Sequence, residues 1–231
     1  MSVSISLSVT RDVRRAPRLG HTRAGEGVDE LREQVIRQGR FKRRCAVCSF
    51  QFGQWNGFEL HHLDGDHTNL SADNVVPICT LCHWPMHLDL VLRELPSDPG
   101  LIVYLPEVSQ VEMNQLLCAT AVHQMQANKA DETSRDRTAW ALYERIKARS
   151  SLVEQVDGKT LRPGLSQIHG MVRVLQECND ARYAERDNWL AGCRYLPPFV
   201  ELVRRAEEWV QDGAAYAGLP VASWPSIAVV A

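Results

Sequence analysis

Residues 45–87 decide the fold, and they read CAVCSFQFGQWNGFELHHLDGDHTNLSADNVVPICTLCHWPMH. Four of the seven cysteines lie in this stretch as two C-x-x-C pairs, Cys45 with Cys48 and Cys79 with Cys82. Each pair brings two sulfur atoms to one tight turn, and two such turns supply the four thiolates that Zn²⁺ prefers in a structural site. The 30 residues between the pairs require a small subdomain between the two turns. The pattern therefore predicts a structural zinc site.

The cysteine pattern leaves one alternative open, namely four reduced buried thiols or two disulfides. A thioredoxin-type redox pair fits the sequence less well than a metal site. The other three cysteines, Cys118, Cys178 and Cys193, have no metal-like spacing and are predicted to be buried thiols. Cysteine usage of this kind indicates a reducing, cytoplasmic setting.

Five of the eight histidines lie in the same stretch. His61-His62, Asn74, His83 and His87 resemble the HNH (ββα-metal) nuclease motif, in which a residue pair ends the first strand, an asparagine lies in the loop and the last histidines come from a helix. The resemblance implies that His61, His83 and His87 hold one divalent cation, Mg²⁺, Mn²⁺ or Zn²⁺. It also implies that His62 is the general base and that Asn74 fixes the loop, so that His62 keeps its orientation.

The chemistry of such a site needs these residue types. A neutral imidazole is an effective base near pH 7, and a bound divalent metal stabilises the charge that develops on the phosphate and the leaving oxygen. The alternative is an HNH scaffold kept for its zinc-held shape, with its histidines idle or binding a second structural metal. Asp64 and His67 could also reach the metal, but a loop histidine beside two aspartates is more often solvated.

The charge of the chain is distributed unevenly. The chain has 231 residues and a net charge of −2, yet residues 1–45 carry eleven Arg or Lys and five Asp or Glu, a balance of +6 that leaves −8 for the remainder. The basic clusters are Arg11–Arg23 and Arg40–Arg44. The second lies beside the first cysteine turn, where it either contacts phosphate or belongs to a solvated face that balances the acidic half. No run of about 18 apolar residues is present, so we expect no direct membrane insertion.

Periodicity and turn signals predict the remaining elements. Strict alternation over Ser2–Thr10 predicts a half-buried strand, and Ser109–Glu112 is a capping box that opens a long helix. The predicted strands are Ser2–Thr10, Gly57–Leu63, Val75–Ile78 and Leu101–Leu105. The predicted helices are Val28–Gly39, Thr80–Leu92, Ser109–Asn128, Thr133–Arg149, Leu165–Glu177, Ala181–Cys193 and Pro198–Gln211.

These elements predict an α+β protein, with a treble-clef/HNH (ββα-metal) zinc module followed by a mainly helical region. The predicted divisions are an N-terminal strand and basic connector over 1–27, the HNH-like zinc-binding module over 28–95, a helical interaction region over 100–212 and a tail over 213–231. The helical region contains no catalytic constellation in its sequence, so we expect it to bind a partner.

The sequence also resembles the IcmJ (DotN) family of type IVB secretion systems from about residue 40 to 212. The resemblance rests on the run Gly100–Leu117, which contains Y-L-P-E, and on L-D-G-D-x-T-N at 63–69. The surrounding plan agrees, with R-x-C-x-x-C before these motifs, the second C-x-x-C between them and an L-P…W segment from Leu196 to Trp209 after them.

Membership of this family implies a subunit of the cytoplasmic coupling complex, in which an ATPase passes substrates to the channel. The implied partners are the coupling ATPase and other subunits of the secretion complex, at a cytoplasmic location associated with the inner membrane through that complex. Some members have lost the histidine pair, whereas this sequence keeps it. Metal-dependent DNA cleavage in a conjugative relative is therefore chemically possible, and the alternative function is a free-standing HNH endonuclease that hydrolyses DNA phosphodiesters.

Overall fold

The computed structural model describes residues 4–11, 28–37, 41–53, 57–71, 73–130, 137–156, 159–160 and 164–218. Most of the predicted basic connector and the end of the predicted tail lie outside these residues. The described part mixes helices with small two-stranded sheets, which confirms the α+β class. None of its helices combines the length and the apolar composition that a bilayer-spanning helix needs.

The first half of the chain contains one antiparallel hairpin between short helices. Strand β1 pairs with β2 in the register Glu59↔Ile78 to His62↔Val75, which places the histidine pair at the end of β1. The elements of this half are α1 Val28–Arg37, β1 Glu59–His62, β2 Val75–Ile78, α2 Thr80–His83, a 3₁₀ helix Trp84–His87 and α3 Leu88–Glu94.

The second half is mainly helical. The antiparallel pair of β3 with β6, in the register Leu101↔Leu196 to Tyr104↔Cys193, ties its beginning to its end. The elements are β3 Leu101–Tyr104, α4 Gln110–Ala130, α5 Arg137–Ala148, a 3₁₀ helix Arg149–Glu154, β4 Gln155–Val156, β5 Lys159–Thr160, α6 Ile168–Glu177, α7 Asp180–Ala184, α8 Arg186–Trp189, β6 Cys193–Leu196 and α9 Phe199–Trp209.

Local signals explain where the two principal helices begin. The Ser109 side-chain oxygen accepts a hydrogen bond from the Glu112 amide (3.2 Å), and the Glu112 carboxylate accepts one from the Ser109 amide (2.7 Å), so the predicted capping box opens α4. Pro198 immediately precedes α9, where its fixed φ favours a helix start. The buried stripe of α9 consists of Phe199, Leu202, Arg205, Ala206 and Trp209.

The described residues form two apolar cores. The smaller one lies within the first half, among residues of α1, β1, β2 and the first cysteine turn. The larger one joins both halves, because Leu81, Trp84, Leu88 and Val91 pack in the same cluster as the buried faces of α4, α6 and α9. The segment that carries His83 and His87 is therefore held from one side by the helical region.

The predicted strand over Ser2–Thr10 is wrong for residues 4–10, which form an irregular segment. The alternation itself is correct, because Leu7 and Val9 are buried. The backbone of this segment bonds to the 3₁₀ turn instead of to a strand: the Ser8 amide donates to the Pro85 carbonyl (3.0 Å), and the Leu88 amide donates to the Ser8 carbonyl (3.0 Å). Period-two burial cannot distinguish these two kinds of partner.

The predicted single helix over Thr80–Leu92 is also wrong. It divides into α2, the 3₁₀ helix Trp84–His87 and α3. Pro85 lies at the start of the 3₁₀ helix, where its missing N–H and its ring are incompatible with continuation of α2. His83 and His87 are consequently brought together by a tightened turn and not by one face of an α-helix.

The predicted helix over Ala181–Cys193 is only partly correct. Two short helices, α7 and α8, cover its first part, and Cys193 begins strand β6. Gly192 takes φ of 82°, in the left-handed region that favours glycine, immediately before that strand. Strand β6 forms because β3 offers it a pairing edge, which local periodicity does not encode.

Candidate metal centres

The four cysteines of the two C-x-x-C pairs converge as predicted. One sulfur from each of Cys45, Cys48, Cys79 and Cys82 lies within 4.8 Å of the other three. The Cys48 and Cys79 sulfurs are 3.6 Å apart, close to the edge of about 3.8 Å that a tetrahedron with Zn–S bonds of about 2.3 Å requires. The donor set and its spacing thus fit zinc.

Backbone hydrogen bonds hold the two cysteine turns against each other. The Ala46 amide donates to the Pro77 carbonyl (2.9 Å), and the Cys79 amide donates to the Cys45 sulfur (3.4 Å). Asn114 of α4 donates to the Leu81 carbonyl (2.9 Å). The helical region therefore contributes directly to the position of the second turn.

The electrostatics of this cluster favour a cation. Hydrogen bonds from the thiols of Cys48 and Cys79 hold the pKa of Cys45 well below its usual value. Hydrogen bonding to that first thiolate, together with burial, raises the pKa of Cys82 far above the usual range. A divalent metal supplies the positive charge that stabilises the thiolate form of clustered cysteines. All seven cysteines lie in the described residues and are free thiols, as a metal site requires and the disulfide alternative does not.

The second cluster consists of His61, His83 and His87. They come from the end of β1, the end of α2 and the end of the 3₁₀ helix. One ring nitrogen from each lies within 4.8 Å of the other two. The ring centroids are 5.6 Å apart for His61 and His83, 6.2 Å for His61 and His87, and 4.7 Å for His83 and His87. The structure therefore brings the three predicted ligands together.

These three rings present buried nitrogens to one another. Nδ1 of His61, Nε2 of His83 and Nδ1 of His87 are buried, and none has a hydrogen-bond partner among the described residues. Burial and the neighbouring His83 lower the pKa of His61 to about 3, and the same causes hold the pKa of His87 well below its usual value. Neutral rings with free lone pairs are the form that binds a metal, and imidazole suits Zn²⁺ and other transition metals better than Mg²⁺.

A buried carboxylate, Glu59, contacts this cluster, and the sequence analysis missed it. It is 7% exposed, and its Oε2 lies 2.5 Å from Nδ1 of His83. Its Oε1 accepts a hydrogen bond from the Thr80 hydroxyl (2.7 Å). Burial alone would raise the pKa of Glu59, but the hydrogen bonds with His83 and Thr80 outweigh burial and lower it. A signal for this contact exists, because Glu59 and His61 are two residues apart and share one face of β1.

The predicted general base, His62, lies beside the cluster and is closely covered. It is 6% exposed, and its ring centroid is 4.5 Å from that of His67. His67 is itself 7% exposed and lies 5.6 Å from His87 between ring centroids. The prediction that His67 is solvated is wrong, because the loop after β1 folds back and places the ring against the other histidines. Asp64 is exposed, as predicted.

Asn74 connects the end of β1 to the loop that follows it. Its Oδ1 accepts from the Asp64 amide (3.1 Å), and its Nδ2 donates to the Asp64 carboxylate (2.9 Å) and to the Asn69 carbonyl (3.0 Å). Its own carbonyl accepts from the Leu63 amide (2.8 Å), next to His62. These contacts are the kind that a loop-fixing asparagine makes.

The beginning of the predicted tail packs on the first cysteine turn. The Gln51 side chain donates to the Gly213 carbonyl (2.9 Å), and the Ala215 amide donates to the Gln51 carbonyl (3.1 Å). The rings of Phe50 and Tyr216 are 6.0 Å apart. A cavity of about 310 Å³ remains between this turn, α4 and residues 215–216.

Comparison with known proteins identifies a relative. No protein-family model matches the chain. The chain is 28% identical over 178 residues to the type 4 apparatus protein DotN of Legionella pneumophila subsp. pneumophila (strain Philadelphia 1), an alignment that covers 77% of each protein. The resemblance found in the sequence is thus confirmed, and the chain is similar to DotN over most of its length.

Proposed function

We propose that this protein is a zinc-binding subunit of a type IVB secretion or conjugation coupling complex. The similarity to a type 4 apparatus protein over 77% of the chain carries this proposal. Its expected partners are the coupling ATPase and other subunits of the complex, on the cytoplasmic side of the inner membrane. Co-purification of the full-length chain with the co-encoded subunits tests it, and the absence of any stable complex would refute it.

We propose further that residues 28–95 form a treble-clef/HNH zinc module and that 100–212 provide the binding surface. The first part is supported by the β-hairpin that lies between the two cysteine pairs, and by the short helix after it, which carries Cys82 and His83. The second is supported by apolar side chains that the helical region leaves in solvent, of which Val200 of α9 is 69% exposed and Leu116 of α4 is 36% exposed. The variant pair Val200→Asp and Leu116→Asp tests whether these faces bind a subunit, because an exposed charge leaves the core intact.

The histidine cluster supports a second candidate function, metal-dependent cleavage of DNA. A divalent metal bound at His61, His83 and His87 would stabilise negative charge on the scissile phosphate. His62, adjacent to the cluster on β1, would take the proton from the attacking water, and Asn74 would fix the loop that follows it. His62 is covered by His67, so access of a water molecule and a phosphate to its ring requires the loop that carries His67 to move.

A plasmid-nicking assay distinguishes the two candidates. Cleavage with Zn²⁺, Mn²⁺ or Mg²⁺ that disappears in His62→Ala would establish the nuclease. A chain that loads metal at the histidines and assembles with secretion subunits, yet cleaves nothing, would be a scaffold whose second metal is structural.

A further inference from the structure

We infer that Glu59 is a positioning residue of the histidine metal site, which fixes the ring of His83 so that its Nε2 faces His61 and His87. The inference rests on the proposed binding of a metal at these three histidines. The observation that carries it is the contact of the Glu59 carboxylate with Nδ1 of His83.

The contact determines which nitrogen of His83 is available to a metal. A neutral imidazole has one N–H donor and one lone pair. Because Glu59 lies 2.5 Å from Nδ1, that nitrogen carries the hydrogen and the lone pair is on Nε2. Nε2 is buried, and it has no hydrogen-bond partner within the described residues. His83 forms one candidate metal-binding group with His61 and His87, in which one ring nitrogen of each lies within 4.8 Å of the other two.

Glu59 is itself held in place from two sides. Its backbone pairs with Ile78 in the β1–β2 hairpin. Its second carboxylate oxygen accepts from Thr80, the first residue of α2. The hairpin that carries His61 and the helix that carries His83 thus meet at this carboxylate, so its orientation is fixed by the same elements that bring the ligands together.

A direct ligand role for Glu59 fits the structure less well. One of its oxygens is engaged by His83 and the other by Thr80. A carboxylate that binds the far nitrogen of a metal-bound histidine orients the ring and increases its donor strength, and loss of such a group typically weakens metal binding about 10–100-fold. The geometry therefore points to positioning.

The test uses the full-length chain with zinc retained at the cysteine tetrad. Co²⁺ is titrated into wild type, Glu59→Ala and Glu59→Gln, and the affinity and stoichiometry of the histidine site are read from its absorption bands. We expect Glu59→Ala to bind Co²⁺ about 10–100-fold more weakly. Glu59→Gln keeps a carbonyl oxygen as acceptor and should restore part of the affinity. Glu94→Gln is the matched control. Glu94 accepts a hydrogen bond from the Trp84 indole (2.9 Å), and within the described structure it has no hydrogen bond or ion pair to a histidine. The Glu94→Gln variant should bind Co²⁺ as tightly as wild type.

A second readout reports the tautomer directly. Long-range ¹H–¹⁵N spectra of the chain without metal at the histidines should show His83 protonated at Nδ1 in wild type and a mixture of tautomers in Glu59→Ala. Equal Co²⁺ affinity of wild type and Glu59→Ala, or a His83 protonated at Nε2 in wild type, would overturn the inference.

If Glu59→Ala does not fold, Thr80→Val provides the comparison, because it removes the hydrogen bond to one carboxylate oxygen of Glu59. This variant should also weaken Co²⁺ binding, by a smaller factor. If wild type binds no Co²⁺ outside the cysteines, the proposed histidine site itself is wrong and the positioning role with it.

Discussion

The guanidinium of Arg205 lies over the indole ring of Trp84, 4.9 Å from its centroid. Trp84 directly follows His83, whereas Arg205 belongs to α9 near the end of the described chain. Arg205 also pairs with Glu201 (2.6 Å), which keeps its side chain on the inner face of α9. The helical region therefore stabilises the segment that carries His83 and His87, and the two candidate metal sites depend on it.

Trp84 should consequently be critical for stability. It is fully buried in the core that joins the two halves. Trp84→Ala should lower the free energy of unfolding by about 3–5 kcal/mol, as is typical for loss of a large buried aromatic. Urea unfolding measures the change. Val200→Ala, at a side chain that is 69% exposed, should alter the free energy of unfolding by no more than about 0.5 kcal/mol. Similar values for the two variants would contradict the proposed core.

The cysteine tetrad should bind one zinc ion that the fold requires. Because structural zinc binding is coupled to folding, Cys79→Ser should lose the metal and become insoluble or sensitive to protease. Cys118→Ser is the control, since Cys118 is a buried thiol outside the tetrad. Metal analysis and limited proteolysis check both variants. Recovery of a folded, zinc-free wild-type chain after mild chelation would show that the tetrad is not structural.

The histidine cluster should make stability depend on pH when it holds no metal. The pKa of His61 is lowered to about 3 by burial, whereas an unfolded histidine takes up a proton near pH 6.5. The unfolded state thus binds more protons between these values, so the free energy of unfolding should fall as the pH decreases, by at most about 1.4 kcal/mol per pH unit for each such histidine.

Urea titrations at a series of pH values, with wild type and the double variant His61→Asn/His87→Asn, isolate this contribution. Both proteins lose zinc from the cysteines alike on acidification, so the difference between their slopes belongs to the histidines. The double variant should show the shallower slope. Parallel slopes would mean that the two rings are not buried in their neutral form.

If the chain cleaves DNA, His62 and the metal ligands should separate in their effects. His62→Ala should reduce cleavage by about 10²–10⁴-fold, the usual contribution of a positioned base, while metal content stays unchanged. His83→Ala should lose both cleavage and the second metal. His169→Ala, at an exposed histidine on α6, should retain both. Cleavage that survives His62→Ala would exclude the predicted role of this residue.

What the sequence predicted correctly depends on local signals. The two C-x-x-C turns, the capping box at Ser109 and the helix over Pro198–Gln211 each depend on signals within a few residues, and each forms close to its predicted place. The three histidines predicted as ligands also lie together, although the helix predicted to carry two of them is interrupted at Pro85.

What the sequence did not predict depends on contacts between distant segments. Strand β6 needs the edge of β3, and the segment around Ser8 needs the turn at Pro85. His67 is buried because the loop after β1 folds back onto the histidine cluster. The spacing of the residues in the sequence does not indicate this folding of the loop. The contact of Glu59 with His83 lies between these cases, since strand alternation places Glu59 beside His61 but tertiary packing brings His83 to it.

The central claim is that one chain carries two separate metal centres, one of cysteines and one of histidines. Native mass spectrometry of zinc-loaded full-length protein tests it most directly. Wild type should carry two zinc ions per chain, and the double variant His83→Ala/His87→Ala should carry one and remain folded. A wild-type chain with a single ion, or a double variant that still binds two, would contradict the claim.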